Sequence, residues 1–258
     1  MGAKRRTIGF DRKIQLNWLD ATADWAAQGI SVADIRTRLE QLLEGKVAGG
    51  GPRSARDKTM TVLLHIWVLV PESLVPLRDD GLARLRIRSG RDSLPFHWGM
   101  CVATYPFFRD VAATTGRLLA LQGSAALSQI TRRIAETWGE RNTVTRTVRQ
   151  IIRTFVLWDV LGETKERGVY SAGRQIEIAG EDGIGPWLVE AAISNCEKQA
   201  QPFRSLIGAA SFFPLKLKVS PGDVASSPRL EVYRQGLDED IVVLRGSAGK
   251  VSERGNVR

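Results

Sequence analysis

The sequence predicts a mostly α-helical chain whose middle holds a helix-turn-helix followed by a hairpin, and whose end is a small α+β extension. Three observations predict it. Apolar residues recur at helical spacing from Phe10 to Trp158, with Gly and Pro clusters marking the breaks. Between Ser124 and Gly173, two amphipathic segments joined by a short turn precede two β-prone stretches around a polar loop. After Gly180 the helical pattern gives way to turn clusters and short apolar alternations. The predicted parts are a helical N-terminal region with a basic arm (1–94), the central domain (95–180) and a C-terminal helix, hairpin and flexible tail (181–258).

With 258 residues, 43% of them hydrophobic, the chain can bury a sizeable core without disulfide staples. The two cysteines, Cys101 and Cys196, lie far apart in apolar contexts and are expected as buried free thiols, which suits a reducing cytoplasm. The basic opening Met1–Arg6 has no apolar run behind it, so no secretory signal is expected. The longest apolar run, Met60 to Val70, is broken by His65 and closed by Pro71, short of the ~20 residues of a membrane span. It reads as a buried core helix.

In chain order, Ile14, Trp18 and Trp25 fall near one helical face, and Ser31 to Asp34 approximates a capping box for the helix carrying Ile35, Leu39, Leu42 and Leu43. Gly45 to Pro52 has loop composition, and Arg53 to Lys58 forms a basic start to the next helix. Leu82 to Ser93, with Arg84, Arg86, Arg88 and Arg91, mixes both periods and fixes no element. Two helices are expected from Pro95 to Leu121, the second beginning after Tyr105-Pro106. The next runs from Ala125 to Trp138 on Leu127, Ile130, Ile134 and Trp138, and Gly139 ends it. A turn at Glu140–Asn142 leads into Thr143 to Leu161, with Asn142 or Thr143 as N-cap. Val160-Leu161 and Val169-Tyr170 are strand candidates around a loop bearing Lys165 and Arg167. Three helices and such a hairpin, in this order, make a winged helix-turn-helix.

The helix after the turn carries the functional signal. Val144, Val148, Ile151, Ile152, Phe155 and Trp158 form an apolar stripe that must face the core. The other face then carries Arg141, Thr143, Thr145, Arg146, Arg149, Gln150 and Arg153, with no acid between Glu140 and Asp159. Arginine forks suit guanine edges or phosphates, Gln suits adenine, and threonines suit phosphate or the thymine methyl. The formal charge of +9 adds to the case for a polyanionic partner. Double-stranded DNA is therefore the expected partner, with Lys165 and Arg167 of the wing and Arg132 and Arg133 of the preceding helix as further contacts. Lys4, Arg5, Arg6, Arg12 and Lys13 form a basic arm.

Beyond Gly180, Trp187 to Ala200 reads as a helix, Pro202 to Pro214 as an apolar aromatic segment, and Ser220–Asp223 and Ser226–Pro228 as turns. Leu230–Arg234, a Gly236 turn and Ile241–Leu244 read as a hairpin, and the last dozen residues as a frayed tail. No catalytic constellation is apparent. His65 and His97 are expected in packing roles, and two isolated cysteines make no zinc site. Gly246–Lys250 lacks the first glycine and the final hydroxyl of a phosphate-binding loop. No enzymatic chemistry, cofactor or metal is expected.

The helical N-terminal part, the Arg53-Ser54-Ala55-Arg56 helix start, the aromatic Tyr105-Pro106-Phe107-Phe108-Arg109 helix and the winged helix behind it together resemble the BrxA-type proteins of BREX bacteriophage-defence systems. The resemblance covers about Phe10 to Gly180 and departs after it. It implies a DNA-binding accessory protein that meets other proteins of the same defence system, with Arg141 to Arg153, Lys165 and Arg167 as contacts. A protein-binding scaffold subunit and a winged-helix transcription regulator are the alternatives, and a homodimer is open.

Overall fold

The computed structural model describes residues 8–87, 92–180, 182–194, 196, 200–236 and 239–245. Arg88, Arg91, the Lys4–Arg6 part of the basic arm, Gly246–Lys250 and the predicted tail lie outside them. The described residues are mostly helical, with three small sheets.

The N-terminal half is built from α1 (Leu16–Ala27), α2 (Val32–Leu43), α3 (Ala55–Trp67) and α4 (Val75–Ile87). Ser31 caps α2, its hydroxyl accepting from the Asp34 N–H at 3.1 Å, and Ser54 caps α3 in the same way through Asp57. α3 stops at Trp67 rather than Val70, because Pro71 forces an extended approach to a short 3-10 turn at Glu72–Leu74. His65 corrects the expectation of a packing role, since it lies on the solvent face of α3 and is exposed. Residues 82–87 of the undecided stretch form the second half of α4, which buries Leu77, Gly81 and Leu82.

Next come α5 (Leu94–Thr104) and α6 (Pro106–Gln122), as expected. Ser124–Ala126 does not open the following helix. It forms β1, and α7 begins at Leu127 and runs to Trp138, where Gly139 with φ 83° ends it. α8 (Asn142–Leu157) has Arg141 as its N-cap residue, and no side chain caps its first turn, contrary to the expected Asn142 or Thr143 cap. The tight turn instead folds the Arg141 guanidinium back onto the Trp138 carbonyl at 2.9 Å.

α8 also ends four residues earlier than the sequence predicts. Asp159 takes φ 57°, its N–H bonds to the Val156 carbonyl, and the Val160 N–H reaches back to Phe155. This is a Schellman ending with Asp in the place usually held by Gly. Val160 and Trp158 are buried beyond it. β2 (Leu161–Glu163) and β3 (Val169–Ala172) follow as an antiparallel hairpin, and β1 joins it to give the order β1-β3-β2.

The C-terminal part differs more from its sequence reading. β4 (Ile176–Ala179) leads to α9 (Ile184–Ile193), which starts before Trp187 and ends well short of Ala200. Ala200 opens β5 (Ala200–Pro202), followed by α10 (Phe203–Ile207), a 3-10 turn at Ala210–Phe212 and β6 (Leu215–Lys218), which pairs in parallel with β4. Ser220–Asp223 is not a free turn but the capping box of α11 (Pro221–Ala225). β7 (Leu230–Gln235) and β8 (Glu239–Leu244) form the expected hairpin, with β5 added on the far side of β8.

One core joins the three regions. Trp98 of α5 stands among Phe108, Phe155, Trp158 and Phe213, with ring centroids 4.9 to 6.0 Å apart, and its indole N–H donates to the Ser211 carbonyl at 2.8 Å. Trp187 of α9 lies against Gly81 and Gly99, where a Cβ would meet its ring, and donates to the Leu77 carbonyl at 2.9 Å. Arg229 ties the start of β7 to Glu190 of α9 at 2.7 Å and to Asp80 of α4 at 2.8 Å. These contacts hold α5, α6 and α8 rigidly, and so fix the outer face of α8.

Candidate nucleic-acid interface

The burial pattern of α8 follows its sequence. Val144, Val148, Ile151, Ile152, Phe155 and Trp158 are all at most 1% exposed, and Arg141, Thr143, Arg146, Arg149 and Arg153 are exposed on the opposite side. On α7, Ile130, Ile134 and Trp138 are buried while Arg132 and Arg133 are exposed. The amphipathic stripes of the two helices thus orient both outward faces at once.

An open groove of about 1250 Å³ runs between α7, α8 and the β2–β3 hairpin. Lys13, Arg132, Arg141, Arg149, Arg153 and Arg167 line it, against two carboxylates, Glu140 and Glu163. Within the set read from sequence, the groove divides the residues. Arg132, Arg141, Thr145, Arg149, Arg153 and Arg167 face it, whereas Arg133, Thr143, Arg146, Gln150 and Lys165 are not among its lining residues. Positions 141, 145, 149 and 153 repeat every four residues and stack along one side of α8. Arg146, one turn before Arg149 and two before Arg153 on the outer face, is 3.9 Å from Asp11.

The hairpin tip is ordered by Thr164, whose hydroxyl accepts from the Glu166 N–H at 3.2 Å and whose own N–H bonds to the Val169 carbonyl. Gly168, with φ 80°, closes the turn, and its carbonyl receives the Leu127 N–H at 2.8 Å. The start of α7 and the tip are therefore locked together, which sets the width of the groove.

Lys13 is the contributor that the sequence reading placed in an arm rather than in the site. Phe10 packs edge-on to Tyr105 and against Phe108, with centroids 5.4 and 5.1 Å apart. The Ile14 N–H donates to the Thr154 hydroxyl at 3.1 Å, and the Trp158 indole N–H donates to the Ile14 carbonyl at 3.1 Å. The segment before α1 is thereby laid along α8 and delivers Lys13 to the groove. The helical pattern expected from Phe10 onward does not hold there: α1 begins only at Leu16, and Phe10 and Ile14 are buried from an extended segment that the sequence did not distinguish from the helix. Arg84, by contrast, is held by Asp80 at 2.9 Å and by the Asp182 carbonyl, next to α9 and away from the groove.

The groove cations differ from those elsewhere in their partners. Arg36, Arg56, Arg78, Arg109, Arg174 and Arg229 each pair with a carboxylate. Among the described residues, no side-chain hydrogen bond or ion pair engages Lys13, Arg132, Arg149, Arg153 or Arg167. Six cations against the two carboxylates leave this concave surface net positive, which favours an anion. The uncapped first turn of α8 adds open N–H groups at the Asn142 end of the same groove.

No family model, curated protein or solved structure matches the chain. The two histidines do not make a site. His97 is fully buried; its Nδ1 accepts from the Trp67 indole at 3.0 Å, so Nε2 carries the proton and donates to Asp20 at 2.8 Å. Cys101 is buried and burial pushes its pKa well up, while Cys196 is only half-buried, so the expectation of two buried thiols holds for the first alone. Among the described residues, no cluster of three His, Cys, Asp or Glu side chains is placed to hold a metal, and no single helix is long and apolar enough to cross a membrane.

Proposed function

We propose that the protein is a winged-helix DNA-binding protein without enzymatic chemistry, and that α8 and the β2–β3 hairpin are its recognition helix and wing. The order helix, strand, helix, helix, hairpin over Pro106–Ala172, with β1 pairing on β3, supports that assignment. The observation that carries the function is the groove itself, where five cations without protein partners converge beside the hairpin. In this reading α8 lies along the major groove, and Lys13, Arg132, Arg149, Arg153 and Arg167 hold the phosphates that flank it.

The likeness to BrxA-type proteins makes a cytoplasmic accessory role in a bacterial anti-phage defence system the biological setting we favour, with other proteins of that system as partners. The C-terminal sheet, where among the described residues no strand pairs with the outer edge of β7 and Tyr233 is 43% exposed, is where such a protein would dock. The direct test is binding of a labelled duplex by fluorescence anisotropy at about 50 mM salt, where nucleic-acid binders driven by phosphate contacts are tightest. Saturable binding that falls steeply with salt supports the function, and no binding at low salt removes it.

A further inference from the structure

The groove has an apolar floor that a stacked duplex does not use. Tyr170, Leu127, Val156 and Leu157 line it together with the cations. Leu157 is 45% exposed, and Tyr170, Leu127 and Val156 are each only partly buried. A base-paired duplex presents phosphates and base edges to a protein, while its flat base faces remain stacked on one another. An unpaired nucleotide presents both an anion and an apolar, polarisable face, and aromatic side chains in a basic channel are the usual means of holding one. The volume of about 1250 Å³ exceeds the ~300–1,000 Å³ of small-molecule sites, which favours a run of linked nucleotides over a free one.

We infer that this groove seats unpaired nucleotides next to a duplex, with a base stacked on Tyr170 and its phosphates held by Arg149, Arg153 and Arg167. The inference rests on the reading of the groove as a nucleic-acid interface. Tyr170 is placed for this role by register: it sits in the central strand β3, opposite Ala125 of β1 and Glu163 of β2. Ala125 is small, while Glu163 lines the groove beside Tyr170, which is itself partly exposed to it. Arg153 and Arg149, one helical turn apart, supply cations along the path of a strand leaving the floor.

The test compares a blunt duplex, the same duplex with a short single-stranded tail of either polarity, and the same duplex with an abasic tail, at one salt concentration. A tail carrying bases should bind about tenfold tighter than the blunt duplex for one seated base, and the abasic tail, which adds only phosphates, should gain much less. Tyr170→Phe should keep the preference and Tyr170→Leu should lose it, each read as the ratio of tailed to blunt affinity of the same protein. Leu157→Gln, at an exposed position that leaves the sheet intact, should weaken the preference as well. Equal affinity for blunt and tailed duplexes, an equal gain from the abasic tail, or a preference untouched by Tyr170→Leu and Leu157→Gln overturns the inference while leaving duplex binding standing. Failure to bind any of the three overturns the nucleic-acid reading beneath it.

Discussion

Replacing Arg149 and Arg153 together by Ala removes two of the five groove cations that have no protein partner. Both side chains are exposed, so the fold should change by no more than about 0.5 kcal/mol. Each phosphate neutralised on duplex DNA contributes about 0.9 to the slope of log K against log salt. Five contacts therefore give a slope near about −4.5, and loss of two brings it to about −2.7. The curves of the two proteins should converge near 1 M salt and differ by roughly 60-fold at about 0.1 M, on the same counterion-release rule. Anisotropy titrations across that salt range, with Arg36→Ala plus Arg78→Ala as a paired-arginine control, make the measurement. An unchanged slope in the Arg149→Ala, Arg153→Ala protein, or an equal drop in the control, would refute the assignment of phosphate contacts to this groove.

Further outcomes follow from the core and its buried groups. Gly99→Ala sets a Cβ into the Trp187 ring and should destabilise the protein by about 1–3 kcal/mol, read as a lowered thermal midpoint; an unchanged midpoint would show that α9 does not pack there. Burial raises the pKa of Asp20, but its hydrogen bonds with His97 and Ser93 outweigh it, so the folded value lies below the usual 3.8. Its contribution to stability is then complete above the unfolded pKa and lost as pH falls through the folded one. The stability difference between wild type and Asp20→Asn, from chemical unfolding at successive pH values, should accordingly vanish in strong acid; a difference that persists there contradicts the pairing. Burial raises the thiol pKa of both cysteines, fully at Cys101 and in part at Cys196, where Arg109 offsets it. A thiol reagent should therefore label Cys196 in the native protein and Cys101 only after unfolding, a pattern mass spectrometry reads directly.

The middle of the chain was the most legible part of the sequence, because its two helices are strongly amphipathic and each apolar stripe dictates a single outward face. Ile130, Ile134 and Trp138 oriented α7, and Val144 to Trp158 oriented α8. Local rules failed where long-range contacts decide. Ser124–Ala126 is a strand only because β3, more than forty residues later in the chain, offers it a partner. The end of α8 depends on Asp159 adopting a left-handed conformation that Asp favours less than Gly, so a glycine-based stop signal misses it. In the C-terminal part, β4 and β6 pair in parallel across α9, a non-local register with no signature in either strand alone.

An acid-free helix face singled out α8, along which the structure places a basic groove, but a face spans a wide arc, and only the hairpin and the N-terminal segment show which side of it is concave. Arg149 and Arg153 line the groove without a protein partner, whereas Arg146 lies 3.9 Å from the Asp11 carboxylate. Lys13 enters the site through Phe10 and Ile14, whose burial against α5, α6 and α8 brings the segment before α1 alongside the groove.

The most direct test of the central claim is hydrogen exchange of the protein with and without a saturating short duplex at low salt. Nucleic acid seated in the groove predicts added protection at the β2–β3 tip, around Lys165 to Gly168, and in the first turn of α8, with β7 and β8 unchanged. Protection confined to the C-terminal sheet, or none anywhere under conditions where binding is saturated, would contradict the account.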